Sequence, residues 1–265
     1  MVSEPRLLVQ LSDPHIGADW GSEQSVARFD AVVESLGRLR PRAHAILISG
    51  DLADHATDEE YRVVRERLDP FGVPLHVLPG NHDRREALRR NFEVPGVGEA
   101  PVHYAVDVGP LRLVVLDSTH PGEDWGALGE GRLAWLDREL AAHPDRATAI
   151  AIHHPPVVTG VPAMDELGLR AADRKALGRV LERYPQVQRV LGGHMHRGLV
   201  GDLVGRPTIV APSIYDAMEL DFSSAEVELT GEPPGFAVHA LVDGTLVSHL
   251  VRVPVCARPR SEDVQ

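Results

Sequence analysis

The chain has 265 residues, of which 43% are hydrophobic and 25% are charged, and its formal net charge at pH 7 is −12. This length and composition suit one large globular α/β domain with a sizeable core. The acidic charge argues against a protein that coats a nucleic-acid polymer, because binding along the phosphate backbone needs a basic face.

The ends of the chain and its single cysteine predict a cytoplasmic protein. The N-terminus has no basic region followed by an apolar one, so we expect no secretory signal. No apolar run approaches the ~18 residues that a membrane span requires. Cys256 is the only cysteine, which excludes an intrachain disulfide, and its place near the C-terminus indicates an inert thiol.

Short apolar runs rich in Val, Ile and Leu recur along the chain and predict strands that are buried on both faces of a sheet. These runs are residues 7–11, 45–49, 75–78, 111–116, 149–152, 187–191 and 208–211. Apolar residues at helical spacing occur between them, within residues 26–36, 61–68, 133–140 and 177–184. Thr57 and Glu60 form a capping box before the second of these helices. The alternation of strands and helices predicts an α/β fold.

The C-terminal part has a different pattern. Residues 236–241 and 246–253 flank Asp243-Gly244, which predicts a β-hairpin with an Asp-Gly turn. The polar stretch 223–235 contains Pro233-Pro234 and is predicted to be a loop. We expect one domain over residues 1–254 and a mobile tail over residues 255–265.

Five of the predicted strands are followed by polar residues that are unsuited to an apolar core. The motifs are Asp13-Pro14-His15, Gly50-Asp51, Gly80-Asn81-His82-Asp83, His153-His154 and Gly193-His194-Met195-His196. Open α/β sheets place ligand sites at the carboxyl ends of their strands. The sequence therefore predicts that these strand ends meet at one site, which we interpret as a two-metal centre.

The residue types within each motif suit metal binding. In an extended segment Asp13 and His15 would point the same way, with Pro14 holding Asp13 out of the helical region. The carboxylate of Asp51 could bridge two metals. Asn81 offers a neutral oxygen and His82 an imidazole. Taken alone, Asp13 to His15 could also be a loop with a capping Asp, and Gly-Asp could be an ordinary turn.

The remaining motif residues have further predicted roles. Asp83 could orient the ring of His82 through one ring nitrogen. Behind Gly192-Gly193, the spacing of His194 and His196 lets both imidazoles approach the site while Met195 faces away into packing.

The order of these motifs resembles the calcineurin-like metallophosphoesterase superfamily. The closest resemblance is to bacterial class III cyclic nucleotide phosphodiesterases and related glycerophosphodiesterases, which share Gly-Asn-His-Asp, His-His-Pro-Pro and a following Met-Asp, here Met164-Asp165. The motifs run from residue 13 to residue 196, and none is missing. The resemblance implies a four-layer αββα sandwich, which the C-terminal β-hairpin would extend.

The resemblance also implies a residue-by-residue assignment of the site. One metal would be bound by Asp13, His15, Asp51 and His196. The second would be bound by Asp51, Asn81, His153 and His194, with Asp51 bridging. His82 and Asp83 would be the catalytic residues, and Asn81, His82 and His196 would contact the substrate. His154 matches a supporting position and is left out of the ligand set.

The expected reaction is hydrolysis of a small phosphodiester by attack of a metal-bound hydroxide without a phospho-enzyme, with 3′,5′- or 2′,3′-cyclic nucleotides as the first candidate substrates. Mixed His, carboxylate and amide ligands suit Fe, Mn, Zn or Co better than Ca or Mg. A glycerophosphodiesterase or a broad-specificity phosphoesterase is the alternative.

Three rival classes fit the residues less well. Protein Ser/Thr phosphatases typically have Gly-Asp-x-Val-Asp-Arg-Gly, where this chain has Gly50-Asp51-Leu52-Ala53-Asp54-His55. A DNA-repair nuclease is disfavoured by the acidic charge. A metal-free scaffold on the same fold would have lost several ligands, and all seven are present here.

Substrate choice is expected to reside in loops. The predicted pocket walls are residues 19–23, 121–128, 159–169 and 213–222, and Trp20, Trp125, Tyr215 or Phe222 could stack on a base. Residues 125–128 and 213–222 are candidate exposed apolar segments for a homodimer.

Overall fold

The computed structural model describes residues 5–21 and 25–254, and β-strands form its centre. The strands are β1 (Arg6–Leu11), β2 (Ala45–Ile48), β3 (Leu75–Val77), β4 (Tyr104–Val108), β5 (Leu111–Val115), β6 (Thr148–Ala151), β7 (Val187–Gly192), β8 (Leu199–Leu203), β9 (Arg206–Val210), β10 (Ala217–Met218), β11 (Leu229–Thr230), β12 (Gly235–Val242) and β13 (Thr245–Arg252). The helices are α1 (Ser25–Leu36), α2 (Asp58–Leu68), α3 (Arg85–Asn91), α4 (Gly129–Ala142), α5 (Pro162–Leu167) and α6 (Ala171–Leu181), with a 3₁₀ turn at Asp69–Phe71.

Most of the strands form two large sheets. The first has the order β13-β12-β1-β2-β3, and the second has the order β4-β5-β6-β7-β9-β8. Strands β1, β2 and β3 are mutually parallel, as are β5, β6, β7 and β9. Strands β10 and β11 pair separately and form a small antiparallel arm.

Side chains alternate between the two faces of each strand, so the two large sheets and their helices enclose three apolar layers. In β1, Leu7 and Val9 face Phe29 of α1 and Tyr61 of α2 on the outside of the first sheet. Leu8 faces the opposite way, into an apolar layer between the two sheets. The outer face of the second sheet packs against α4 and α6. The predicted four-layer αββα sandwich is therefore confirmed.

The predicted buried strands are all present, as β1, β2, β3, β5, β6, β7 and β9. The C-terminal hairpin is confirmed as β12 and β13, and both Asp243 and Gly244 have the positive φ of a tight hairpin turn. The capping box at Thr57 and Glu60 is also present.

Some elements have no counterpart in the prediction. Strands β4 and β8 lie at the edges of the second sheet and are only partly buried, so they lack a continuous apolar run. Helices α3 and α5 have seven and six residues, too few to show a repeating stripe. The predicted loop 223–235 contains β11, which is a correction.

The predicted tail 255–265, with Cys256, lies outside the described residues. Across the ranges that the structure describes, no helix combines the length and the apolarity needed to cross a membrane.

A buried chain of hydrogen bonds links the C-terminal hairpin to the second sheet. Ser248 contacts His239 Nδ1 at 2.8 Å, and His239 Nε2 contacts Gln10 Oε1 at 2.9 Å. Gln10 Nε2 then donates to Ser49 Oγ at 2.9 Å and to the carbonyl of Gly192 at 2.8 Å. These bonds satisfy polar groups in the apolar layer, where an unpaired group would be costly.

His239 is expected to weaken the fold as the pH falls. Burial lowers the pKa of His239 from 6.5 to about 3, and the positive charges of Arg189 and His249 act in the same direction. Between these pH values the unfolded chain binds a proton that the folded chain does not. For each unit by which the pH falls in this range, the contribution of His239 should therefore lower the free energy of unfolding by up to ~1.4 kcal/mol. Urea unfolding of the wild type and of His239→Gln from neutral to acidic pH tests this. The variant should lose stability less steeply, and parallel curves would contradict the prediction.

Candidate metal centre

The five polar motifs converge at one edge of the sandwich. They follow β1, β2 and β3 of the first sheet and β6 and β7 of the second. Their backbones are hydrogen-bonded to one another: Asp13 N donates to Gly50 O at 3.2 Å, His15 N to Asp51 O at 3.0 Å and Gly193 N to His153 O at 2.9 Å. The parallel strands therefore bring together residues that are far apart in the chain, as the sequence predicted.

The backbone at the centre is strained. Positive φ angles occur at several non-glycine residues of the motifs: Asp13 (52°), His15 (42°), Asp51 (50°), His194 (68°) and His196 (48°). Such angles cost of order 1–3 kcal/mol per residue and persist only where the surrounding structure enforces them. The expected extended conformation of Asp13-Pro14-His15 is therefore wrong. The two side chains converge because the segment turns sharply and bonds to the loop after β2.

The first predicted ligand group is assembled. Donor atoms of Asp13, His15, Asp51 and His196 lie within 4.8 Å of one another, and all four residues are buried. His15 Nε2 lies 3.0 Å from His196 Nε2 and 3.5 Å from Asp51 Oδ2. Nitrogens ~2.0–2.1 Å from one ion approach each other to ~3 Å, so this spacing fits a metal.

The second predicted group adjoins the first. His153 Nε2 lies 3.1 Å from Asn81 Oδ1 and 3.4 Å from Asp51 Oδ2. The ring of His194 is 4.9 Å from that of His153, centroid to centroid. Asp51 Oδ2 thus lies at nearly equal distances from a histidine of each group, while its Oδ1 accepts from the backbone N–H of His82 at 2.9 Å.

The histidine rings are oriented by contacts outside the centre. Nδ1 of His15 donates to Asp54 at 3.0 Å, Nδ1 of His153 to Ser49 O at 2.8 Å, and Nδ1 of His196 to Asp216 O at 2.7 Å. Each ring therefore directs the lone pair of Nε2 to the centre, an arrangement typical of metal sites. Nε2 of His194 donates a hydrogen bond to Leu167 O at 3.0 Å. The lone pair that can bind a metal is therefore on Nδ1 of this ring.

The electrostatics of the centre favour a cation. Burial lowers the pKa of His15, His194 and His196, so these rings are neutral and able to bind a metal. Burial alone would lower the pKa of His153, but the carboxylates of Asp51 and Asp13 raise it to about 9. Two buried carboxylates need positive charge nearby, and a metal ion can supply it in place of a proton.

Glycines allow the strand ends to approach one another. A Cβ at Gly50, which has a φ of 102°, would collide with the ring of His153. A Cβ at Gly80 would collide with the carboxylate of Asp51. The Gly-Asp and Gly-Asn-His-Asp motifs therefore need glycine for steric reasons.

The predicted partner of His82 is wrong. Its Nδ1 lies 3.2 Å from Asp54 Oδ1 and 3.2 Å from the carbonyl of Asp54, so Asp54 orients this ring. Burial alone would lower the pKa of His82, but the bond to Asp54 and the charges of Asp51 and Asp54 raise it to about 10.

Asp83 turns away from His82 because its carboxylate organises the loop instead. It accepts hydrogen bonds from the N–H groups of Leu52 (3.2 Å), Ala53 (3.3 Å) and Gly80 (2.9 Å) and from the hydroxyl of Tyr61 (3.0 Å). Asp83 therefore joins the loops after β2 and β3.

His154 lies beside the centre, but both of its ring nitrogens are engaged. Nδ1 contacts Ser118 Oγ at 2.8 Å, and Nε2 donates to the carbonyl of Asp124 at 3.0 Å. A ring nitrogen of His154 also lies within 4.8 Å of ring nitrogens of His153 and His194, so the exclusion of His154 from the ligand set stays a prediction. His154 also fixes the loop after β5.

Two adjoining cavities open at the centre. A pocket of about 220 Å³ is lined by several of the predicted ligands together with Trp20, Leu167 and Met218. A cleft of about 800 Å³ lies beside it, lined in part by Pro121, Gly122 and Arg84. Asn81, His82 and Asp124 line both cavities. Each predicted wall segment thus contributes to one of these two cavities, although residues 22 and 23 lie outside the described ranges.

The aromatic side chains predicted to stack on a base are mostly engaged in contacts within the protein. Tyr215 is buried and packs against Trp20, whose indole N–H donates to Asp54 at 3.1 Å. Trp125 is covered by the guanidinium of Arg170, 4.0 Å from the ring centroid. Phe222 is exposed.

The segments proposed for a homodimer are only partly exposed. Leu128 is buried in the core, as are Ile214 and Met218, whereas Leu220 and Phe222 are exposed. The prediction of an exposed apolar stretch over residues 125–128 and 213–222 is therefore wrong for most of its apolar residues, because they face the core.

Sequence reasoning missed Asp54 and Asp124. Asp54 contacts both His15 and His82, and Asp124 accepts from Asn81 Nδ2 at 3.4 Å. The available signal for Asp54 was an acidic residue three positions after Asp51 in the same strand-end loop. Asp124 lies in an ordinary polar loop, and its sequence context carries no such signal.

Known proteins are similar to this chain in sequence and in fold. A family model described as calcineurin-like phosphoesterase matches residues 7–198. The structure is similar to that of a dimetal phosphatase from Danio rerio, with a TM-score of 0.65 at 17% identity, over 95% of this chain and 100% of that chain.

Two curated relatives are similar over most of their length. The chain is 36% identical to the 3′,5′-cyclic adenosine monophosphate phosphodiesterase CpdA of Pseudomonas aeruginosa, over 93% of this chain and 90% of that protein. It is 33% identical to a probable glycerophosphodiester phosphodiesterase, GpdQ, of Arcobacter nitrofigilis, over 88% of each chain.

The sandwich fold and the cluster of His and Asp donors define the class of metallophosphoesterases. The chain belongs to the calcineurin-like phosphoesterase family. The resemblance and the prediction of a phosphate-ester hydrolase are confirmed.

Proposed function

We propose that the chain is a dinuclear metal-dependent phosphodiesterase that hydrolyses small phosphodiesters. The observation that carries this proposal is the position of Asp51 Oδ2, which lies 3.5 Å from His15 Nε2 and 3.4 Å from His153 Nε2. A carboxylate oxygen between two groups of donors is suited to bridge two ions. Fe, Mn, Zn or Co suit this mixture of His, carboxylate and amide donors.

The charge of the centre suits an anionic substrate. The seven proposed ligands include only two carboxylates, Asp13 and Asp51, so two divalent ions would leave an excess of about two positive charges. That excess attracts a phosphate group even though the chain as a whole is acidic. When bound, the ions would supply Lewis acidity and lower the pKa of coordinated water.

His82 is the residue that we propose to act on the substrate. Its Nδ1 is bonded to Asp54, and the ring lines both cavities beside Asn81. Nε2 is thus free to donate a proton to the leaving oxygen or a hydrogen bond to the phosphate. Asp54, in place of Asp83, holds the ring in this orientation.

Cyclic nucleotides are the substrates we propose first. The adjoining cleft of about 800 Å³ can hold a nucleoside, and the relative from Pseudomonas aeruginosa is named for a cyclic nucleotide. Glycerophosphodiesters are the second candidate, supported by the relative from Arcobacter nitrofigilis. The cytoplasmic location and the homodimer stay predictions.

The proposed function is tested by comparing substrates on protein loaded with Mn²⁺. We expect kcat/KM to be higher for 3′,5′- or 2′,3′-cyclic nucleotides than for glycerophosphodiesters or a simple monoester. A chelator should abolish turnover, and added metal should restore it. A protein that binds metal but cleaves no diester would contradict the proposal, and one that binds no metal would support a scaffold role.

A further inference from the structure

Asp124 stands at the junction of the two cavities. Asp124 is among the residues that line both the pocket at the metal centre and the larger cleft. Asp124 Oδ1 accepts from Nδ2 of Asn81 at 3.4 Å, and Asn81 Oδ1 in turn faces His153. A group that extends from the centre into the cleft therefore passes this carboxylate.

The loop that carries Asp124 is fixed independently of the carboxylate. The main-chain carbonyl of Asp124 accepts from Nε2 of His154 at 3.0 Å, and the other nitrogen of His154 is bonded to Ser118. Because this anchor uses the main chain, replacing Asp124 with the isosteric Asn leaves it intact. The contact with Asn81 can also persist through the amide oxygen.

Asp124 differs from the other residues around the pocket in its charge. Within the described chain, the pocket lining consists of proposed ligands, His82, Trp20 and apolar residues, and Asp124 is its remaining carboxylate. The basic residues Arg84 and Arg85 line only the larger cleft, and Arg85 is paired with Asp117 at 2.7 Å. Of the described carboxylates that line the pocket, Asp124 is therefore the one that no proposed metal neutralises, whereas Asp54 lies outside the lining and is bonded to His15 and His82.

We propose that Asp124 is a specificity-determining residue that disfavours dianionic phosphate monoesters relative to monoanionic diesters. This inference rests on the proposed function, since it concerns the same site. A monoester or inorganic phosphate carries close to two negative charges at mildly alkaline pH, whereas a diester carries one. A fixed carboxylate repels the dianion more strongly, and specificity arises from that difference.

The test compares bis(4-nitrophenyl) phosphate with 4-nitrophenyl phosphate, which share a leaving group, on the wild type and Asp124→Asn loaded with Mn²⁺. We expect the ratio of kcat/KM for diester over monoester to fall about tenfold in the variant. Calorimetry should show inorganic phosphate binding about tenfold more tightly to the variant. Raised salt should lower the wild-type ratio and change that of the variant less, because salt screens the repulsion.

Asp202→Asn is the matched control, because it makes the same substitution at an exposed carboxylate that lines neither cavity. We expect its ratio and its phosphate affinity to stay at wild-type values. An unchanged ratio and phosphate affinity in Asp124→Asn would overturn the inference, as would loss of metal from that variant. Absence of diester turnover in the wild type would refute the proposed function instead. In that case the comparison of phosphate affinity between the wild type and Asp124→Asn would still decide the role of Asp124.

Discussion

Replacing Asp51 with Asn will remove bound metal and lower turnover by at least about three orders of magnitude. Asp51 Oδ2 lies between His15 and His153, and Oδ1 accepts from the backbone of His82. Asn can keep the backbone contact, so the loop should stay folded. It lacks the negative charge that two ions would share. Metal content per chain and turnover, measured on the same sample, test this prediction.

Asp202→Asn is a suitable control for that substitution. Asp202 accepts from Gly205 N in the exposed connection between β8 and β9 and lines neither cavity of the centre, so its replacement should leave metal content and turnover at wild-type values. Full activity and full metal content in Asp51→Asn would refute the bridging role.

Replacing His82 with Ala will lower turnover by about 10²–10⁴-fold while the metal content stays near that of the wild type. The backbone N–H of residue 82, which bonds to Asp51, is kept in the variant. Only the imidazole is lost, and with it the donor that Asp54 holds toward the substrate. Turnover, metal content and KM should be measured together, because a substrate-contacting residue can change both kcat and KM.

His143→Ala provides the matched control for His82. His143 directly follows α4, is partly exposed and lines neither cavity of the centre. We expect this variant to retain turnover. Loss of metal from His82→Ala would show that His82 is a ligand, an alternative that its closeness to His15 makes worth testing.

The fold and the convergence of the polar motifs could be predicted because they depend on local patterns. Buried strands such as β2 and β6 are continuous apolar runs, and the polar residues after them stand out. Parallel strands of one sheet end at one edge, so the approach of Asp13 to Asp51 follows from the pairing of β1 with β2. The approach of His153 to Asp51 also requires the two sheets to stack with their carboxyl edges together. Partly exposed edge strands such as β4 carry no comparable run.

The contacts that refine the site depend on loop geometry that the sequence does not reveal. Asp83 is adjacent to His82, yet the ring turns to Asp54 because the carboxylate of Asp83 is used by four backbone and hydroxyl donors. The left-handed backbone of Asp13 likewise results from hydrogen bonds to the loop after β2. Such contacts between neighbouring strand ends have no periodic signature.

Anomalous diffraction from crystals grown with Mn²⁺ would test the two-metal centre most directly. We expect two peaks ~3.5–4 Å apart on either side of Asp51 Oδ2. One should be bound by Asp13, His15 and His196, and the other by Asn81, His153 and His194. A single peak, or two peaks of which only one contacts Asp51, would contradict the dinuclear centre.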